Sequence, residues 1–216
     1  YKNTSNQNIE TTYTFPMGWE AIFMGFSAEI NGMKLQGMVV EKSLANKQYE
    51  KAIMDGDSPI MLEKNSDGLY TVNLGNLLPN EEAVIEYSYA QLLKLKNNNV
   101  RVSIPTTIAP RYGNPQLSGI KNHQTVETDL LIEYPFNLSI NISGPLSKAS
   151  IECPSHPIKV QSIENGTSIT LGRNSYLDRD FILNLNELTN QSFFSIVKDP
   201  YSKEPSYTAL ASFCPK

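Results

Sequence analysis

The chain has very little of what reactive and metal-holding sites are usually built from: its 216 residues include two histidines, two cysteines and one tryptophan. Cys153 and Cys214 are too few for a disulfide framework and lack the paired spacing of a zinc site, so one bridge or two buried thiols are the alternatives. Of the histidines, His123 stands apart, whereas His156 follows a nucleophile in Cys153-Pro154-Ser155-His156. Pro154 stiffens that segment and no hydrolase signature surrounds it, so it reads as a turn or strand entry. Phosphate-loop, dinucleotide-binding and nucleophile-elbow motifs are missing, so no cofactor and no enzyme activity are expected. With a formal charge of −4 and 19% charged residues, the chain has no basic footprint for nucleic acid. No stretch approaches the roughly 18 consecutive apolar residues of a membrane helix, and residues 1–8 are polar rather than signal-like, so no membrane partner is expected within these residues.

What is present is strand patterning. Thr11-Thr12-Tyr13-Thr14-Phe15 is β-branched and aromatic and stops at Pro16, which donates no ladder hydrogen bond. Ile22, Met24, Phe26, Ala28 and Ile30 alternate with small or polar residues, which predicts that this set forms one buried face. Asn31-Gly32 supplies the positive φ angles of a type I′ turn, so a hairpin should follow, placing Met33, Leu35 and Val39 beside that face. The period then changes. Ala45, Tyr49, Ala52 and Ile53, with Ser43 as cap and Gly56 as stop, predict one amphipathic helix over about residues 44–55. Three further alternating runs, at Tyr70-Val72-Leu74, Ala83-Ile85-Tyr87-Tyr89 and Val100-Val102-Ile104, predict strands.

Residues 110–124 are rich in Gly, Pro, Asn and Gln, with little periodicity, and make the best boundary. Strand signals resume near 130–134, 138–142, 157–162, 168–171, 181–185, 193–197 and 207–213, with no second helix. The close spacing predicts a mainly β fold: an antiparallel β-sandwich with one short α-helix, then a second antiparallel, sandwich-like region. The expected organisation is a first domain over 1–113, a linker or loop over 114–124 and a second β-rich domain over 125–216. The chain opens on Tyr1 and ends on Lys216 without an obvious start or finish, so it reads as a fragment.

Five separated motifs carry a resemblance. Tyr13-Thr14-Phe15-Pro16, the run from Gly25 through Asn31-Gly32 to Glu41-Lys42, Gln48-Tyr49-Glu50-Lys51-Ala52, Gly75-Asn76-Leu77-Leu78-Pro79, and Arg101-Val102-Ser103-Ile104-Pro105 continuing to Arg111-Tyr112 follow one another in order. Together they resemble the vault protein inter-alpha-trypsin (VIT) domain, found for instance in inter-alpha-trypsin inhibitor heavy chains. Asn80 stands where that family usually has glycine, and the family's opening strand is expected before Tyr1. The second half, with Cys153-Pro154-Ser155-His156-Pro157 and Asp178-Arg179-Asp180-Phe181, is similar to the β region that precedes a von Willebrand factor type A domain in such proteins. The resemblance implies a type A domain in cis as partner, whose Asp-x-Ser-x-Ser metal loop is not in these residues and is expected beyond Lys216.

Few residues stand out as candidate sites. Arg111 and Tyr112 are candidates for a partner contact or a loop anchor. Asp178 and Asp180, with Asn174 and Ser175, have calcium-ligand chemistry, but a solvated or Arg179-paired surface is the expected reading, so no metal site is assigned. Six methionines concentrate at 17, 24, 33, 38, 54 and 61, as core or as an adaptable binding surface. Glycosylation sequons begin at Asn3, Asn137, Asn141, Asn165 and Asn190, in a chain whose Asn, Ser and Thr content gives several by chance. The functional expectation is a non-catalytic scaffold with an unidentified protein partner. The alternative is a secreted or surface adhesion module using calcium or glycans, and an extracellular or cell-surface location is set slightly ahead of a cytoplasmic one.

Overall fold

The computed structural model describes residues 1–18, 20–66, 68–106, 135–173, 175–188, 192–199 and 204–213. They fall into two compact units, one of residues 1–92 with 105 and 106, and one of residues 93–104 with those from 135 onward. Arg111, Tyr112, the expected 114–124 linker, the strand near 130–134, Asn174, Asn190 and Cys214 lie outside the described residues.

The first unit is built from two three-stranded antiparallel sheets. In one, β5 (Leu69–Leu77) is flanked by β1 (Ile9–Pro16) and β4 (Ile60–Ser66); in the other, β2 (Ile22–Ile30) lies between β3 (Met33–Gln36) and β6 (Ala83–Ala90). Phe15, Val72, Leu74 and Leu77 of the first sheet and Ala83, Ile85 and Phe26 of the second share one core. Removing this apolar area from water is the main force that holds the sheets face to face. A stack of aromatic rings crosses the same core, with Phe15 and Tyr87 centroids 4.5 Å apart and Phe23 and Tyr70 5.3 Å apart.

The Asn31-Gly32 turn forms as expected, with φ of 49° and 80° and Ile30 opposite Met33. The predicted face of β2 is correct only beyond Gly25. A β-bulge between Phe23 and Gly25 inserts Met24 as an extra residue, so Phe23 faces the core while Ile22 and Met24 are 68% and 69% exposed. Met33 and Leu35 share the inward side with Ile30 and Ala28 but lie on an edge strand and stay exposed; β3 ends at Gln36, which leaves Val39 outside it.

The helix α1 (Lys42–Met54) also begins earlier than its sequence signals indicate. Glu41 is the N-cap, and the Ser43 hydroxyl donates to the Glu41 carboxylate instead of capping a backbone amide. Its C-terminus does end at Gly56, whose φ of 84° lets its N–H bond the Ile53 carbonyl while Asp57 N–H bonds that of Ala52. α1 packs against β4 and lays Ile53 and Tyr49 over Gly75 of β5. β5 is therefore buried on both faces along most of its length.

The second unit pairs β7 (Leu95–Lys96), β8 (Asn99–Ile104), β13 (Phe181–Asn186) and β10 (Ser150–Glu152) in one antiparallel sheet, and β9 (Ser139–Ile142), β12 (Gly166–Leu171) and β11 (Ile158–Ile163) in another. Phe181, Leu183 and Leu185 point with Val100 into a core shared with Ile169 and Ile140 of the second sheet. The expected first domain over 1–113 is therefore corrected in one respect. Its strand at 100–104 is β8, paired with β13 some way along the chain, and it buries Val100 in the second core. Last come β14 (Ser192–Lys198) and β15 (Tyr207–Phe213), a hairpin whose two strands form a sheet of their own.

Candidate functional site

The histidine segment is a structural strut. His156 is buried between Phe136, edge-on at 5.6 Å, and Phe181, stacked at 5.8 Å. Its Nε2 is 3.2 Å from the Tyr176 carbonyl oxygen, which only accepts, so Nε2 carries the proton and Nδ1 accepts from the Ser155 hydroxyl at 2.9 Å. Ser155 Oγ in turn accepts from the Ile182 N–H at 2.9 Å. Its proton is committed to the imidazole and a lone pair to a strand amide, so the Ser-His contact ties the 153–157 turn to β13. Cys153, a half-buried free thiol, lies 3.5 Å from the same oxygen. The adjacency of Ser155 and His156 was the only sequence signal of this contact.

Asp178 and Arg179 do not sit on a strand; they occupy a turn before β13. Arg179 Nε donates to Asp178 Oδ1 at 2.9 Å, and this bond holds the Asp178 carboxyl below the usual carboxylate range and raises the guanidinium. The pair is solvent-exposed, the Arg-paired surface expected from the sequence. Among the described residues no group of three or more His, Cys, Asp or Glu side chains is placed to hold a metal ion.

Beneath α1 lies a polar layer that alternation alone did not reveal as buried. Glu63 of β4 and Thr71 and Asn73 of β5 share the face opposite the sandwich core. Asn73 Nδ2 donates to Glu63 Oε1 at 3.0 Å, and Thr14 and Thr71 hydroxyls meet at 2.8 Å. The Glu63 side chain is 4% exposed, and Lys42 Nζ approaches its other oxygen at 3.1 Å as an ion pair rather than an aligned hydrogen bond. The layer anchors the first turn of α1.

The sequon at Asn3 is closed to modification in this fold. Asn3 is fully buried, and its amide donates to the Leu77 carbonyl at 2.8 Å and the Gln7 carbonyl at 2.9 Å, using both hydrogens. Asn137, Asn141 and Asn165 are exposed.

The surface feature with functional chemistry is apolar. From β3 into α1 the chain exposes Met33, Leu35, Met38, Val39, Val40 and Leu44, with Met38 at 85% and Val39 at 104%. Met24 and Met54 are exposed too, whereas Met17 is buried and Met61 half-buried, so four of the six methionines face solvent. Unbranched, polarisable side chains at the open edge of a sheet form a surface that adapts to a partner's shape.

Comparison with known proteins fits this architecture. Residues 1–89 match the family model of the Vault protein inter-alpha-trypsin domain. Residues 1–89 are a VIT domain. Mouse protein mono-ADP-ribosyltransferase PARP4 is 30% identical over 183 residues, covering 82% of this chain and 9% of that protein. Human von Willebrand factor A domain-containing protein 5A is 28% identical over 236 residues, covering 100% of this chain and 29% of its own length. A von Willebrand factor A domain-containing protein of Dictyostelium discoideum is 25% identical over 187 residues, covering 84% of this chain and 18% of that protein. The chain thus spans less than a third of each of these relatives, and resembles the VIT domain and following β region of type A domain proteins.

Proposed function

We propose that this chain is a non-catalytic interaction module, which seats a type A domain of the same polypeptide and offers its VIT surface to a protein partner. The observation that carries the reading is the exposed apolar run Met33, Leu35, Met38, Val39, Val40 and Leu44 at an open sheet edge. An apolar run of this length costs solubility unless a partner covers it. Relatives named for a von Willebrand factor A domain, matched over most or all of this chain, support the cis assignment. The activity in the PARP4 name belongs to that protein, of which only 9% is matched, and supports no transferase reading for this chain.

The test is calorimetric. A polypeptide that continues through a type A domain should unfold its VIT unit at a higher midpoint than the 216-residue chain, because contact made only in the folded state stabilises it. Equal midpoints would mean that the domains are independent beads and would remove the seating role.

A further inference from the structure

The β14–β15 hairpin has the surface of a sheet interior without a sheet around it. Phe194 and Ile196, opposite Ala211 and Ala209, lie on one face with Tyr207, while Val197 and Leu210 lie on the other. All five large side chains are exposed, Phe194 to 67%. Both outer edges of the hairpin are also unpaired among the described residues. Two strands alone are marginally stable in water, and strands that expose large apolar side chains on both faces gain from cover on both sides.

We infer that β14 and β15 are two strands of a composite sheet, completed by the type A domain carried on the same polypeptide. The inference rests on the seating role proposed above and gives it a location. The surface itself restricts the occupant. A membrane interface would cover one apolar face and favour a basic opposite face, but here the opposite face exposes Val197 and Leu210 among the hydroxyls of Ser195, Thr208 and Ser212, and Lys198 is the one cation between Ser192 and Lys198 or between Tyr207 and Phe213. A small ligand would leave the open backbone edges unpaired. A folded domain contributes both strand edges and apolar cover, and the human relative matched over this whole chain has further sequence for it, since the match takes up 29% of its length.

Hydrogen exchange tests the inference, read at the hairpin amides in the 216-residue chain and in the complete polypeptide. In the chain alone the hairpin should exchange within about tenfold of the unfolded rate, and in the complete polypeptide about a hundredfold or more slower. The double variant Phe194→Ser, Ile196→Ser in the complete polypeptide should lose that protection while the amides of β5 and β13 keep theirs, which separates lost docking from failed folding. Fast hairpin exchange in the complete polypeptide would overturn the inference. So would strong protection in the chain alone together with a dimer by light scattering, since a second copy would then be the occupant. A raised unfolding midpoint with an unprotected hairpin would leave the seating role standing and sink only this assignment.

Discussion

Ile53 of α1 sits directly over Gly75 of β5, in the space where a β-carbon on residue 75 would stand. The helix reaches this depth because that position has no side chain. Gly75→Ala should therefore lift α1 and cost about 1–3 kcal/mol as an overpacked contact. The cost should largely vanish in an Ile53→Ala background, where the space is free. Urea unfolding of the two single variants and the double variant tests this, and strictly additive losses would refute the contact.

The ion pair under the first helical turn should behave asymmetrically. Glu63→Ala leaves the Asn73 amide without its acceptor in a buried layer and should cost about 1–3 kcal/mol. Lys42→Ala should cost no more than about 1 kcal/mol, because its side chain is 62% exposed and largely screened. Glu63→Gln should be less damaging after Lys42→Ala than before it, since the amide needs no counter-charge. A denaturant double-mutant cycle with no coupling would contradict the pairing.

Burial beneath α1, and secondarily the charge of Glu10, push the Tyr49 phenol from its ordinary 10.0 to about 12. The protonated phenol is the neutral form, so folding favours it. Its contribution to stability is whole below pH 10 and is lost as pH rises through about 12. In absorbance titration at alkaline pH, Tyr49→Phe should remove one phenol from the last step and soften the alkaline fall in stability. An unchanged last step would place Tyr49 in solvent.

The legible parts of the fold were those where one local signal decides the backbone. Asn31-Gly32 and Gly56 adopt the left-handed angles their residue types favour, and the amphipathic run to Ile53 becomes α1. Less legible was whatever depends on a distant partner. Val100, Val102 and Ile104 alternate whichever sheet receives them, and only the pairing with β13 assigns them to the second core. β4 carries no strand signal because Ile60-Met61-Leu62-Glu63 does not alternate, and its buried carboxylate looks like a surface residue until Lys42 and Asn73 are placed beside it. The candidate surface was half legible: methionine enrichment marked the region, but the exposure of Met24 and Met33 depends on a bulge and a sheet edge. Arg111 and Tyr112, the sequence candidates for partner contact, lie outside the described residues.

The bulge at Met24 makes chain length a structural variable in β2. Phe23 and Phe26 are three residues apart yet share the core side, a spacing that an unbroken strand cannot accommodate. Excising Met24 would join Phe23 to Gly25 in the register they already hold, opposite Tyr89 and Ser88, restoring alternation with Phe23 still inside and Ile22 still outside. Closing the bulge with Met24 retained would instead exchange inside for outside at the start of the strand, whereas a substitution at position 24 merely changes what the surface displays.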